Sequence, residues 1–237
     1  MMKDKVLLKH YADDLGIQVS SLNEKKHYYV ESEKDFMIFT TGSNCIFRGN
    51  KNILEWCKSK FNTETAEEIM DGSNLYELEH RLREDGLALE GQHLLFEYSS
   101  NVKLSLAEGY TTRVVLQPNI QEYYKYKEFI HAFSFKSETD CLAIPAIFKG
   151  KPVAMAACDN RIESSWQIGI DTLKAHRGKG IASFLVSELA KEIVKHGKRP
   201  FYTTWGANIA SMKVALQAGF TPAATFYYAK KIKEEKR

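Results

Sequence analysis

A strand that runs into a glycine-rich basic turn and then a helix dominates the folding options of this chain. The stretch begins Gln167-Ile168-Gly169-Ile170-Asp171-Thr172 and passes through Leu173-Lys174-Ala175. It then reads His176-Arg177-Gly178-Lys179-Gly180-Ile181-Ala182-Ser183. Alternating β-branched residues suit a strand, and the helix has to start where the glycines end. Such a turn aims several backbone N–H groups, and the positive end of a helix dipole, at one point in space. It is a site for a ligand that carries a pyrophosphate.

Three phosphate motifs compete for this turn. A P-loop needs four residues between its first glycine and a Gly-Lys-Ser/Thr end. Here Gly178 and Gly180 are followed by Ile181-Ala182, so that pattern fails. The dinucleotide pattern G-x-G-x-x-G is met at Gly178 and Gly180 but finds Ser183 at its third glycine. It also calls for an acidic residue about twenty positions on. The chain is basic there, at Lys198-Arg199.

The third motif fits best. Arg-Gly-Lys-Gly-Ile-Ala after a strand, then Asn208-Ile209-Ala210-Ser211 and Gly219-Phe220, resembles the GNAT acyltransferase superfamily. In that family an Arg/Gln-x-x-Gly-x-Gly/Ala turn binds the pyrophosphate of acetyl-coenzyme A. Aligned on Gly178 and Gly180, the pattern puts Ala175 at its first position. The resemblance is clearest over residues 110–230. It points to a bacterial branch with an extra N-terminal region.

Composition sets bounds around this reading. The chain has 237 residues, 44% of them hydrophobic, and a net charge of +3. That length buries a substantial core. The charge is too mild for a nucleic-acid-binding face, which needs clustered basic residues. Cys45, Cys57, Cys141 and Cys158 are widely spaced, with no C-x-x-C or Cys/His ligand pattern. They read as reduced structural thiols, and no metal is expected. No apolar run approaches a membrane span, and residues 1–16 lack a signal-like core. A cytoplasmic protein without membrane or nucleic-acid partners is expected.

Periodicity divides the chain near Ser99–Asn101. Before it come an amphipathic helix over 3–14 and strands over 27–30, 36–40 and 45–48, read as an antiparallel meander. Helices follow over 52–61 and 74–84, the second with Asn74 and Glu77 as a capping box, and then a strand over 93–98. After the break, a strand over 112–116 leads into a mostly helical 118–133. A hairpin (142–148 and 153–158) turns at Lys149-Gly150. Strand 166–172, helix 180–195, strand 201–205, helix 208–218 and strand 220–229 complete the pattern. The long helix places Ile181, Phe184, Leu185, Leu189, Ile193 and Val194 on its apolar stripe. The expected class is α+β or α/β: a GNAT-like mixed, largely antiparallel sheet flanked by helices, with a smaller N-terminal α+β region. Residues 1–100 would be accessory, or a degenerate GNAT-like half. Residues 101–237 would be the acyltransferase domain.

The resemblance implies a mechanism: direct transfer of an acetyl group, in a ternary complex, from acetyl-coenzyme A to the primary amine of a small molecule or peptide. The alternative is an acyl-coenzyme A-binding sensor or structural module. Strands 166–172 and 201–205 would splay to admit the pantetheine arm. Backbone groups of Ile170, Asp171 and Thr172 would meet the thioester. Arg177, Gly178, Lys179, Gly180, Ile181 and Ala182 would hold the pyrophosphate. Asn208 would cap its helix and touch the pantetheine, with Ser211 beside it. Many relatives place a tyrosine seven residues after that asparagine to protonate the leaving thiolate; this chain has Ala215. Tyr202, Tyr227 and Tyr228 are substitutes, with Tyr228 taken as the acid. Glu163, just before the central strand, is taken as the base, with Gln167 as an alternative that positions a water.

Overall fold

The computed structural model describes residues 6–33 and 35–232. Helices are α1 (Val6–Asp14), α2 (Lys51–Phe61), α3 (Ala66–Ile69), α4 (Gly72–Glu84), α5 (Ile181–Lys195) and α6 (Ile209–Gln217). The first five strands are β1 (Tyr28–Glu31), β2 (Phe36–Thr40), β3 (Cys45–Gly49), β4 (Leu87–Leu89) and β5 (His93–Tyr98). Two short ones follow, β6 (Thr111–Thr112) and β7 (Val115–Leu116). The last five are β8 (Asp140–Phe148), β9 (Lys151–Asp159), β10 (Ser165–Thr172), β11 (Arg199–Trp205) and β12 (Phe220–Lys231). The chain divides into two compact units. One holds residues 1–94, 205–207 and 223–237, and the other holds 95–204 and 208–222.

In the first unit β2 and β3 form an antiparallel hairpin, but β1 joins β3 in parallel. The expected meander is therefore wrong. The chain between β1 and β2 returns β2 past the position of β3, so β3 becomes the middle strand of the three. On the other side of β2 lies the C-terminal strand: Thr225–Ala229 of β12 pairs antiparallel with Thr40–Phe36. Lys231–Ala229 pairs with β4. The core beneath is aromatic and aliphatic, with Phe36, Phe47, Ile53, Cys57, Phe61, Leu78 and Leu82 fully or almost fully buried. Phe47 stacks between Tyr29 and Phe61 at centroid distances of 5.2 and 5.9 Å. Phe36, Phe39 and Phe47 are core residues, as their type suggests.

Two helix starts differ from expectation. The capping box belongs to Thr65 and Glu68, which open the short α3. α4 begins two residues before Asn74, because the Asp71 carboxylate accepts from Ser73 N–H and serves as its cap. Asn74 instead donates to the Glu68 carbonyl.

The second unit carries strands in the order β5-β11-β10-β9-β8-β6, with β7 also on β8. Its pairings are antiparallel from β6 to β10, and β10 runs parallel to β11. The segment 118–133 is not a helix. It forms two short 3-10 segments, Asn119–Tyr123 and Lys127–Phe129. Its buried residues Ile120, Tyr123, Phe129, Ala132 and Phe133 leave a gap from 123 to 129 that no helical stripe can span. Each turn drives its own aromatics into the core beside Val115, Ala143, Met155 and Ala157.

Helix α5 packs against β8, β9 and β10. Its buried face includes Ile181, Ser183, Leu185, Ser187, Leu189, Ala190 and Ile193. The expected stripe was rotated too far: Val194 is half exposed, and the small Ser183, Ser187 and Ala190 face inward. Small side chains let the helix approach a strand surface that itself carries alanine at Ala154 and Ala156.

Candidate functional site

Strands β10 and β11 pair from Ser165 with Arg199 to Ile168 with Tyr202, and no further. On its other edge β10 stays paired with β9 through Thr172. Gly169, Ile170, Asp171 and Thr172 therefore have no strand partner on the β11 side. This opening is the splay expected of these strands. It leaves a row of backbone donors and acceptors that an extended chain can pair with. At its closed end the Gln167 side chain donates to Thr203 Oγ1 at 2.7 Å.

The open end of β10 leads directly into the glycine-rich turn. Gly178 and Gly180 both adopt left-handed conformations, with φ of 76° and 72°. A side chain there would strain the turn. Gly180 is the N-cap of α5, and no side chain caps that helix. The first helical bond is Phe184 N–H to the Gly180 carbonyl, at 3.0 Å. The amides at the start of α5, including those of Ile181, Ala182 and Ser183, are thus free of intrahelical partners and carry the positive end of a fifteen-residue helix. This geometry fits a diphosphate.

The turn admits a second register of the motif. Counted back from the helix start, the Arg/Gln-x-x-Gly-x-Gly/Ala pattern is Arg177-Gly178-Lys179-Gly180-Ile181-Ala182, matched at every fixed position. The exposed Ala175 is outside it. Arg177 Nε donates to the Thr172 carbonyl at 2.9 Å, which ties the turn to the strand end. Thr172 Oγ1 is buried and has no hydrogen-bond partner.

A second brace was invisible in the sequence. Tyr110 Oη is 2.8 Å from His176 Nδ1, and Lys179 Nζ donates to the same hydroxyl at 3.1 Å. The Phe148 ring lies 5.0 Å from Tyr110 and 5.3 Å from His176. His176 is therefore a half-buried, bonded residue, not the solvated loop histidine its neighbours suggest. No local pattern links residues 110 and 176.

Asn208 caps α6, with its Oδ1 accepting from Ser211 N–H at 3.1 Å. Ser211 Oγ is 2.7 Å from Tyr202 Oη. Tyr202 is buried, and burial pushes its phenol above the usual range; the bond to Ser211 partly opposes this, and the Asp171 charge adds to it. A phenol so placed keeps its proton. Ala215 is fully buried one turn further along α6.

The structure does not gather every expected residue. Glu163 is exposed in the turn before β10. The eight residues of β10 separate it from the glycine-rich turn, a span of roughly 26 Å at strand rise. Tyr228 belongs to the first unit, where its ring lies 5.0 Å from His93 and beneath Lys230 Nζ at 5.1 Å. Ile170, Asp171, Thr172, Arg177–Ala182, Asn208 and Ser211 all lie in the second unit. Among the described residues, no group of three or more His, Cys, Asp or Glu could hold a metal ion, and no helix is long and apolar enough to cross a membrane.

Residues 146–229 match the family model described as FR47-like protein. Solved structures resemble the chain over about two thirds of its length. A GCN5-related N-acetyltransferase-like protein from Streptococcus suis 89/1591 aligns at 17% identity and a TM-score of 0.51, over 67% of this chain and 68% of that one. A GCN5-related N-acetyltransferase from Kribbella flavida aligns at 22% and 0.50, over 65% and 63%. One from Sphaerobacter thermophilus aligns at 15% and 0.52, over 69% and 58%. The chain has the GNAT fold. The chain covers less than two thirds of the Kribbella and Sphaerobacter proteins. No curated protein matches it.

Proposed function

We propose that the second unit binds acetyl-coenzyme A and transfers its acetyl group to a primary amine of a small molecule or peptide. The observation that carries this reading is the coincidence of two features on one strand. β10 parts from β11 after Ile168, and the same strand ends at a turn whose helix-start amides are uncapped. Amides of Gly178–Ala182 hold the pyrophosphate, with Lys179 adding charge, while Arg177 fixes the turn to the strand. Ile170, Asp171 and Thr172 pair with the pantetheine arm through their free backbone edge. The bound co-substrate supplies an activated acyl thioester. A backbone N–H on this edge stabilises the charge that grows on the acyl oxygen. Asn208 and Ser211 line the mouth of α6, and the Tyr202 hydroxyl hydrogen-bonds the leaving sulfur in place of the absent tyrosine at 215.

The missing tyrosine at 215 also favours a second reading, an acyl-coenzyme A sensor with little turnover. Thermal unfolding with acetyl-coenzyme A, other acyl-coenzymes and NAD(P) tests binding. A midpoint that rises with acyl-coenzyme A concentration is expected. Thiol release from acetyl-coenzyme A across an amine panel then separates the two readings. Amine-dependent release identifies the enzyme, and stabilisation without release identifies the sensor. Stabilisation by NAD(P) alone would remove both.

A further inference from the structure

We infer that His131 and Asp171 form a proton-accepting dyad that deprotonates the acceptor amine; this rests on the acyl-transfer reading above. Asp171 sits in the unpaired stretch of β10. Its side chain does not point to solvent as a strand-end aspartate ordinarily would. Oδ2 accepts from the backbone N–H groups of His131 at 2.6 Å and Ala132 at 3.1 Å. Oδ1 lies 2.9 Å from His131 Nδ1.

The strand is shaped for this contact. A Cβ on Gly169, two residues earlier on the same face, would stand 2.1 Å from the His131 carbonyl oxygen and 2.9 Å from that of Ala132. Only glycine lets the 131–132 backbone lie this close to β10. On either side, Phe129, Ala132 and Phe133 are buried and fix the segment to the core. His131 is held between these anchors, yet its side chain is 74% exposed, against 15% for Asp171.

The chemistry follows from the donor inventory. A carboxylate only accepts, so the bond fixes the neutral imidazole with its proton on Nδ1. The Nε2 lone pair is left free on the exposed ring. An anchoring role for Asp171 needs only its two backbone bonds. The third bond, to the ring, orients a base and stabilises the imidazolium that forms. An alkylammonium acceptor is protonated at neutral pH. Its first proton passes to Nε2, and the amine nitrogen then forms the C–N bond to the acyl carbon. As the C–S bond breaks, the second nitrogen proton goes to the departing sulfur. His131 afterwards releases its proton to water. The balance is one amide, one thiol and one proton from one ammonium and one thioester.

The test compares full-length wild type with His131→Gln and Asp171→Asn. Nitrogen NMR of the histidine rings, with His131→Gln as the assignment control, reads the tautomer directly. The neutral ring should carry its proton on Nδ1 in wild type. It should switch to Nε2 in Asp171→Asn, where the amide NH2 faces the ring and the amide oxygen still anchors the loop. Turnover in amine-dependent thiol release should fall by about 100-fold or more in both variants. KM for acetyl-coenzyme A should stay within about three-fold, because neither change removes a backbone amide. A wild-type ring with its proton on Nε2, or His131→Gln turnover within about two-fold of wild type, overturns the dyad. Wild type itself failing to release thiol with any amine overturns the acyl-transfer reading instead, and that failure is recognised because it precedes any substitution.

Discussion

Ile168 and Tyr202 are the last residues at which β10 and β11 face each other as paired strands. Everything proposed for the second unit lies just beyond this pair. Up to it, the strands close the sheet; past it, one edge of β10 is free and leads to the uncapped start of α5. The hydroxyl of Tyr202 ties the same point to Ser211 in the first turn of α6.

Gly169→Ala tests how tightly the 131–132 segment must lie on β10. The added methyl collides with backbone carbonyl oxygens rather than with a flexible side chain. Overpacking of this kind costs about 1–3 kcal/mol. Chemical denaturation should show that loss, and turnover should fall with it as His131 is displaced. A variant as stable as wild type would mean the segment moves freely.

Gly178 separates strain from charge. A Cβ there meets nothing within 4 Å, but φ is +76°. Gly178→Ala should lose about 1–2 kcal/mol of stability through the left-handed backbone and still be stabilised by acetyl-coenzyme A. Gly178→Glu carries the same strain plus a negative charge beside the free amides. Its ligand-induced rise in melting temperature should vanish. Equal ligand responses in the two variants would place the pyrophosphate elsewhere.

Asn208→Ala removes the only side-chain cap of α6 and should cost about 1 kcal/mol. Asn208→Asp restores the acceptor for Ser211 N–H and should recover most of that stability. If Asn208 also touches the pantetheine arm through its NH2 group, Asn208→Asp should regain stability without regaining affinity for acetyl-coenzyme A. Titration calorimetry beside thermal unfolding reads the two effects separately.

His93 gives the first unit an acid-sensitive element. Its ring stacks on Phe226 at 5.1 Å, and its Nε2 is buried without a hydrogen-bond partner. Burial lowers its pKa below the usual 6.5; Lys230 lowers it further and Glu90 opposes this. The unfolded chain therefore binds a proton here at a higher pH than the folded one. The stabilising contribution is complete above the unfolded value and is lost as pH falls through the folded one. Unfolding free energy measured from neutral pH downward should fall in wild type, and fall less steeply in His93→Gln. Parallel curves would rule out this group as the source.

Local signals were well preserved in the sequence. The hairpin at Lys149-Gly150, the strand ending at Thr172 and the helix after Gly180 each follow from a pattern within a few residues. The turn was legible because glycine tolerance of left-handed backbone is a property of single residues. The segment 118–133 was misread as helix because its aromatics answer to the core beneath them, not to each other.

Glu163 illustrates the harder limit. Proximity to a strand in sequence says nothing about which end of that strand is open. The dyad was hidden for the same reason: His131 and Asp171 are 40 residues apart.

The amino-acid sequence alone determined the strand, turn and helix that present free amides, because backbone preference and short-range periodicity act within a few residues. The tertiary structure alone decided that β12 pairs with β2, that Tyr110 braces His176, and that a histidine from an irregular segment meets the aspartate of β10. Those choices come from packing and hydrogen bonding between distant parts of the chain, where burial of the whole core sets which partners meet.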